Sequence, residues 1–531
     1  MRRAIVALAL LLPAQVVAQQ TVRSQPPIIT AISLDNQNVF DSSDHSLPAR
    51  IQNTLHSRTR ASFIRREFLF HVGERYDSAR VAETERNLRR LGTFKQVTID
   101  SATSDSGVAI HVVTREIVTA QLQIIWKGSG SSFAWGIIPV ENNFLGTLTH
   151  LEAGYRHDPD RTTTSLVFSQ RRLINGTIGG TTAWSQRSDG TLVFAQLAQP
   201  FFEAASHSSG ALTFDDRRVR ILQFRSGAEV PQSILQERYV RGRADYSRAL
   251  IATPQHYIRL GVAAQIRRDD FTTDSLYSLT GFTTRSVTGA FGVYGEASRI
   301  NKPKVFAFQS LSSEEDVDLS STIALSLFAA PSAFGYSAGH AGVAPAVGVH
   351  TGFQFPRGFA YADGYAGGLY NSAGLDSGSV GASATAVWMP HPRHQFLLHA
   401  EANALKNPLP GTEFDLGLGA GPRAFKQHSF TGDREYFVTA EYRFMLGRDV
   451  FKIGDLGLAA FFDDGGAWWS GDPRRSGWDA GVGLRAAFGH ALVATNRFDL
   501  AWHGGQPGLP GGWRLSVGAG LLFSNATRGA R

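Results

Sequence analysis

Cysteine is absent from this 531-residue sequence, and methionine occurs only three times. After residue 18 no apolar run approaches the ~20 residues that a membrane-spanning helix needs. The first absence excludes a disulfide-stapled framework, so an exported chain of this composition must hold itself together without cross-links. The second excludes a helical membrane protein. Charge of one sign is also in short supply: the net charge of +7 is spread along the chain. No basic patch is interleaved with aromatic residues, which disfavours nucleic acid as a partner. The one clear apolar run is the leader. Met1-Arg2-Arg3 is followed by Ala4 to Leu12 and Pro13, with Val16 and Ala18 at the small-residue positions of a cleavage site. Residues 1–18 therefore read as a secretory signal peptide and are set aside from the fold.

Glycine and aromatic residues are plentiful instead, with 55 glycines and 11% Phe, Trp and Tyr. From Val118 onward, residue alternation is the dominant pattern. Leu122, Ile124 and Trp126 alternate with Gln121 and Gln123. Tyr436, Val438, Ala440, Tyr442 and Phe444 alternate with Thr439, Glu441 and Arg443. Leu515, Val517 and Ala519 alternate with Arg514, Ser516 and Gly518. Such strands have one apolar and one polar face. Two all-β architectures satisfy that pattern. In a soluble sandwich the apolar face packs inward. In a membrane barrel it meets lipid, and the polar face lines a lumen. The leader, the strand number and the aromatic strand ends favour the barrel. At roughly 25 residues per strand and connection, residues 118–531 would form about 16 antiparallel strands. Turns such as Asp158-Pro159-Asp160 and Ser188-Asp189-Gly190 punctuate them.

Residues 27–117 have a different, mixed α/β texture. A strand is expected from Ile28 toward Phe40, and a short helix within Ser46 to His56. Ser62 to Phe70 fits either a helix or a strand. Asp77 is placed to cap a helix from Ser78 to Leu91, with Val81, Leu88 and Leu91 on one face and Gly92 just past its end. The other face carries several arginines, which read as solvated or as a contact for an acidic partner or lipid headgroups. Two strands should follow, Phe94 to Asp100 and Val108 to Val113, joined by a polar turn.

The segment Phe63-Ile64-Arg65-Arg66-Glu67-Phe68-Leu69-Phe70, then Gly73-Glu74-Arg75-Tyr76-Asp77, Glu83-x-Glu85-Arg86-Asn87-Leu88 and Leu91-Gly92-x-Phe94-x-x-Val97, resembles a POTRA module. The first half of the domain, Asp35 to Arg60, matches that pattern poorly. The remainder resembles the surface-antigen barrel of BamA and TamA in the Omp85 superfamily. Glu141-Asn142-Asn143-Phe144-Leu145-Gly146-Thr147 is similar to the family's first turn, and Gln199-Pro200-Phe201-Phe202 to a strand-end motif. Pro422-Arg423-Ala424-Phe425 sits where the family's loop six lies, with alanine in place of its glycine. Phe461-Phe462-Asp463-Asp464-Gly465 matches a Phe-x-Asp-x-Gly strand. The resemblance implies that Arg423, next to Phe425, folds into the lumen and pairs with Asp463 near Gly465. Desolvation alone would demand a partner for an arginine there. It also implies a bacterial outer-membrane location, with the POTRA domain in the periplasm.

Other motifs invite chemistry. Gly335-Tyr336-Ser337-Ala338-Gly339 has the spacing of a nucleophile elbow, with Asp464-Gly465-Gly466 and His503-Gly504-Gly505 as imitations of its partners. None lies in the strand–turn–helix setting that such a site requires, so no enzyme is expected. His391 and His394 bracket Pro392-Arg393 and read as a turn, not a metal site. No cofactor is called for. The last strand, Trp513 to Phe523, contains Gly518 and Gly520, and glycine weakens strand pairing. A weak seam with the first strand, which carries Leu122 and Ile124, would open sideways; a lumen-facing position that needs small residues explains the glycines equally well. The expected function is assembly and insertion of outer-membrane proteins, or protein translocation, through POTRA strand capture and this seam. Alternatives are a two-partner-secretion exporter of one passenger and a passive porin or receptor barrel. The partners implied are outer-membrane lipid, unfolded barrel or secreted protein clients, and periplasmic chaperones or accessory proteins.

Overall fold

The computed structural model describes residues 26–39, 56–225, 227–228, 230–273, 285–311, 314–336, 341–418, 420–450, 454–488, 495–504 and 510–520. Most of the chain forms a ring of antiparallel strands from Ala120–Ser129 to Gly512–Ala519. Each strand pairs with its sequence neighbour, and the last returns to the first. The ring has 20 strands, not the expected 16 or so. The reason is the length of the connections. Two-residue turns at 130–131, 188–189, 356–357, 372–373 and 392–393 leave fewer residues per strand than the roughly 25 assumed. Fifteen strands precede the long 407–433 loop and five follow it.

The burial pattern decides between the two all-β alternatives. Along the strands the apolar residues are the exposed ones: Leu122 is 64% exposed, Val262 57% and Leu515 65%. The charged residues of the opposite face, among them Glu441, Asp463, Arg485 and Asp499, are buried. A soluble sandwich would reverse both. An apolar exterior around a closed backbone ladder and a polar interior is the solution that a lipid bilayer imposes.

At one end of the barrel sits a small α/β domain. Its sheet places Gly107–Glu116 in the centre, parallel to Ile29–Gln37 and antiparallel to Phe94–Ser104. Both hairpin strands run longer than the alternation suggested. Ala61–Arg65 is a single helical turn, which settles the ambiguous 62–70 segment as a short helix followed by irregular chain. The second helix, Ser78–Arg90, begins at Asp77, whose carboxylate accepts the Ala79 amide, and stops before Gly92 at φ +65°. Val81 and Leu88 go into a core with Ile29, Ile64, Phe68, Phe70, Phe94 and Ile110. The helix expected within residues 46–56 falls almost wholly outside the described residues.

Candidate functional site

Three features meet in and beneath the lumen: a buried charge cluster, two segments inserted from opposite ends, and a short seam. The charge cluster is built on the 407–433 loop, which folds back inside the barrel. Arg423 is 1% exposed. Its Nε and Nη2 donate to the two carboxylate oxygens of Asp463 at 2.7 and 3.1 Å. Its Nη1 donates to Glu441 at 3.0 Å and Asp499 at 3.3 Å, and its guanidinium lies 3.6 Å from the ring centre of Phe461. Arg485 bridges the same Glu441 and Asp499, at 2.9 and 2.6 Å. Arg443 and Arg497 add further donors. A bidentate fork onto one carboxylate fixes geometry as well as charge, which a lysine would not.

The loop tip is shaped for this seat. Asp479 stands opposite Asp463 in register and accepts the Ala424 amide at 2.8 Å. Ala424 keeps an ordinary negative φ, so the family's glycine is not required there, and its methyl packs against Phe461 and Ala501. Phe425 is buried with Phe414, Leu416 and Phe430. Gly465 leaves room for the loop, since a Cβ there would press on Pro422 and Phe437 at 3.1 Å. Glu441, Asp479, Arg485, Arg497 and Asp499 did not stand out in the sequence. Their signal was the charge itself, carried at lumen-facing positions of strands whose other face is apolar.

The second insert comes from the opposite end. Residues 300–320, between two barrel strands, form a small hairpin in which Lys304–Phe306 pairs with Glu314–Asp316. Val305, Phe308, Val317 and Leu319 pack inside the barrel against Phe359, Val387 and Leu397. The Phe308 carbonyl accepts Arg443 Nη1 at 3.1 Å, and Arg443 Nε donates to Glu441 at 2.6 Å. The hairpin therefore touches the charge cluster from below.

The small domain closes over this end through three contacts. Arg89 donates to both carboxylate oxygens of Asp316 at 3.0 Å, and Lys304 reaches Glu85 at 2.7 Å. The Phe201-Phe202 turn docks on the same helix. Asn87 donates to the Phe202 carbonyl at 2.8 Å, and Arg80 pairs with Glu203 at 3.1 Å. Arg172 and Arg259 stack on Phe202 and Phe201 at 3.9 and 3.7 Å. Arg172 also pairs with the buried Glu67. At the first turn, Asn143 Nδ2 donates to the Ser57 carbonyl at 2.8 Å and to Thr59 Oγ1 at 2.9 Å. Gly146, at φ +72°, lies where a side chain would collide with the Arg58 carbonyl. Burial pushes the nearby Glu116 carboxyl up, but hydrogen bonds from His56, Asn36 and the Thr59 amide outweigh it and hold it below the usual carboxylate range.

The seam joins Gly512–Ala519 to Ala120–Ser129 by two residue pairs, Ser516 with Ser129 and Val517 with Gly128. The adjacent hairpin pairs Asn496–His503 with Gly512–Ala519 along eight. Gly518 lies beneath Arg497, whose Nη2 would stand 2.7 Å from a Cβ, so its smallness serves the charge cluster as well as the strand. Gly520, at φ +74°, ends the strand with its amide on the Thr495 carbonyl. Leu122 and Ile124 face outward. Phe523 lies outside the described residues.

Gly335 closes a 3₁₀ turn in a left-handed conformation, and Ser337 to Gly339 lie outside the described residues. Asp464 bonds Tyr436 in another strand. His391 and His394 face each other across a two-residue turn, and among the described residues no group of three metal-ligating side chains forms.

No family model matches the chain. Over 144 residues it is 27% identical to the outer membrane protein assembly factor BamA of Neorickettsia risticii (strain Illinois), covering 26% of this chain and 20% of that protein. Among solved structures it is similar to CdiB from Escherichia coli. That likeness has a TM-score of 0.50 at 13% identity and covers 93% of this chain and 77% of that one. It is also similar to BamA from Haemophilus ducreyi lacking POTRA domains 1-3, with a TM-score of 0.43 at 12% identity, covering 92% and 85%.

Proposed function

We propose, from the premise that the chain belongs to the Omp85 superfamily, that it inserts client proteins into the bacterial outer membrane through the first-to-last seam of its barrel. The small domain is read as a single POTRA module beneath the periplasmic mouth. The observation that carries this reading is the seam itself. Two paired positions among the described residues hold it, while the neighbouring hairpin has eight. A strand edge so lightly paired offers its backbone groups to an incoming strand, and Phe94–Ser104, an edge of the periplasmic sheet, offers a first template. Both steps are exchanges of hydrogen bonds and need no covalent chemistry. A passive porin is disfavoured because two segments of the chain itself occupy the lumen. Export of a passenger through that lumen would require both to leave.

The native absence of cysteine makes the test clean. Gly128→Cys combined with Val517→Cys places two thiols on facing strands. In liposomes supplied with an unfolded outer-membrane barrel, the oxidised double variant should lose client folding and a reductant should restore it. Undiminished folding by the oxidised form would reject lateral opening and leave passage through the lumen as the route.

A further inference from the structure

Four adjacent strands are longer than a membrane crossing requires. Ser208–Gln223, Ser233–Ala252, His256–Thr273 and Arg285–Arg299 have 16, 20, 18 and 15 residues, where about 9–11 cross a membrane. Their outer face begins as an ordinary lipid-facing band, with Leu212, Phe214, Tyr246, Leu260, Val262, Ile266, Phe291 and Val293 exposed. On the same face, within a few residues of the band's outer edge, the side chains change to Arg218, Arg238, Arg268 and Arg285. All four are exposed. At the matching level the C-terminal strands carry Trp478, Trp502 and Trp513 instead. This sector brings four arginines onto adjacent strands, whereas elsewhere Arg434 and Lys406 stand exposed at the outer ends of two separate strands.

Their pairing is incomplete. Arg218 stands directly opposite Arg238 across two strands, an arrangement that costs stability when nothing lies between like charges. Asp270 stands opposite Arg238, yet it is engaged by Arg268 and Arg285, each at 2.6 Å. Asp216 is the other carboxylate on this face, and among the described residues no acid pairs with Arg218 or Arg238. The arginines of the lumen face in the same strands are treated differently: Arg217 holds Glu237, Arg241 holds Asp215 and Arg267 holds Asp269. Guanidiniums left open on the outside, at the level where lipid headgroups begin, match phosphate in charge and in its bidentate geometry. We propose that Arg218, Arg238, Arg268 and Arg285 form a binding site for phosphorylated lipid headgroups of the outer leaflet.

The inference rests on the outer-membrane orientation of the barrel and not on the insertion activity. Its test is lipid retention by the full-length detergent-purified protein, measured by native mass spectrometry after mixing with lipid A. The wild type should retain diphosphoryl lipid A over its dephosphorylated form by roughly tenfold or more. Arg218→Gln with Arg238→Gln should reduce retention to that of the dephosphorylated lipid, while Arg299→Gln, at the periplasmic end of the same wall, should change nothing. Equal retention of the two lipids by the wild type would overturn the site, and that comparison needs no variant to fold. Full retention by a double variant that still runs as a heat-modifiable barrel would overturn it equally. Displacement of the lipid by an equimolar amount of inorganic phosphate would assign the arginines to free anions and reject the lipid. A wild type that never showed heat-modifiable mobility would count against the barrel reading instead.

Discussion

At the residue scale, Arg423 is worth more as a partner than as a charge. Four carboxylates, Asp463, Glu441, Asp499 and Asp479, converge on the loop tip, and three accept from this one guanidinium. Buried ion pairs contribute little relative to apolar replacements, but breaking one strands its partners without compensation. Arg423→Ala should therefore destabilise the folded loop by about 3–5 kcal/mol. The expected readout is cleavage of the 407–433 loop by external protease at concentrations that spare the wild type. Arg423→Lys keeps the charge and loses the fork, so it should lie between the two. Equal protease resistance in all three proteins would show that Phe425 and its apolar neighbours seat the loop unaided.

At the scale of elements, the same loop has a second fastening at its outer end. His428 stacks on Phe224 with ring centres 3.6 Å apart and bonds Asp415 and Asp160, the latter on a different external turn. Burial pushes this imidazole down, but the hydrogen bonds to Asp160 and Asp415 and their charges outweigh it and raise its pKa to about 9. An upward shift means that the protonated form is the stabilised one. The fastening is complete below the unfolded value of about 6.5 and is lost as pH rises through about 9. Protease access to the loop should increase across that upper range, and His428→Gln should remove the dependence. How far such elements can be read from sequence follows from how local their causes are. Alternation along a strand and the Asp77 cap are local, so the strands and the Ser78–Arg90 helix were legible. Strand number was not: the turns at 188–189 and 392–393 could be read, but those at 130–131, 356–357 and 372–373 are two residues long and leave little trace between strands. Arg423 and Asp463 were legible through a resemblance. Glu441, Arg485 and Asp499 join them only through the curvature of the closed wall, which no sequence spacing encodes.

At the scale of the whole molecule, contacts run without a break from the periplasmic domain to the external loop. Arg89 holds Asp316 on the 300–320 hairpin. The hairpin's Phe308 carbonyl holds Arg443, Arg443 holds Glu441, and Glu441 holds Arg423. The hairpin was invisible in the sequence because nothing local distinguishes a segment that folds up into a lumen from one that hangs below it. Its position gives it a measurable consequence. Replacing residues 303–317 by a short Gly-Ser linker removes Val305, Phe308 and Val317 from the wall and leaves Phe359, Val387 and Leu397 facing an open mouth. In planar bilayers the deletion should raise the conductance and lengthen the open state. Asp316→Arg should act in the same direction more weakly, since it reverses one docking pair and keeps the hairpin's apolar seat. If the deletion conducts like the wild type while remaining heat-modifiable, the 407–433 loop alone seals the lumen, and the periplasmic domain has no mechanical hold on the pore.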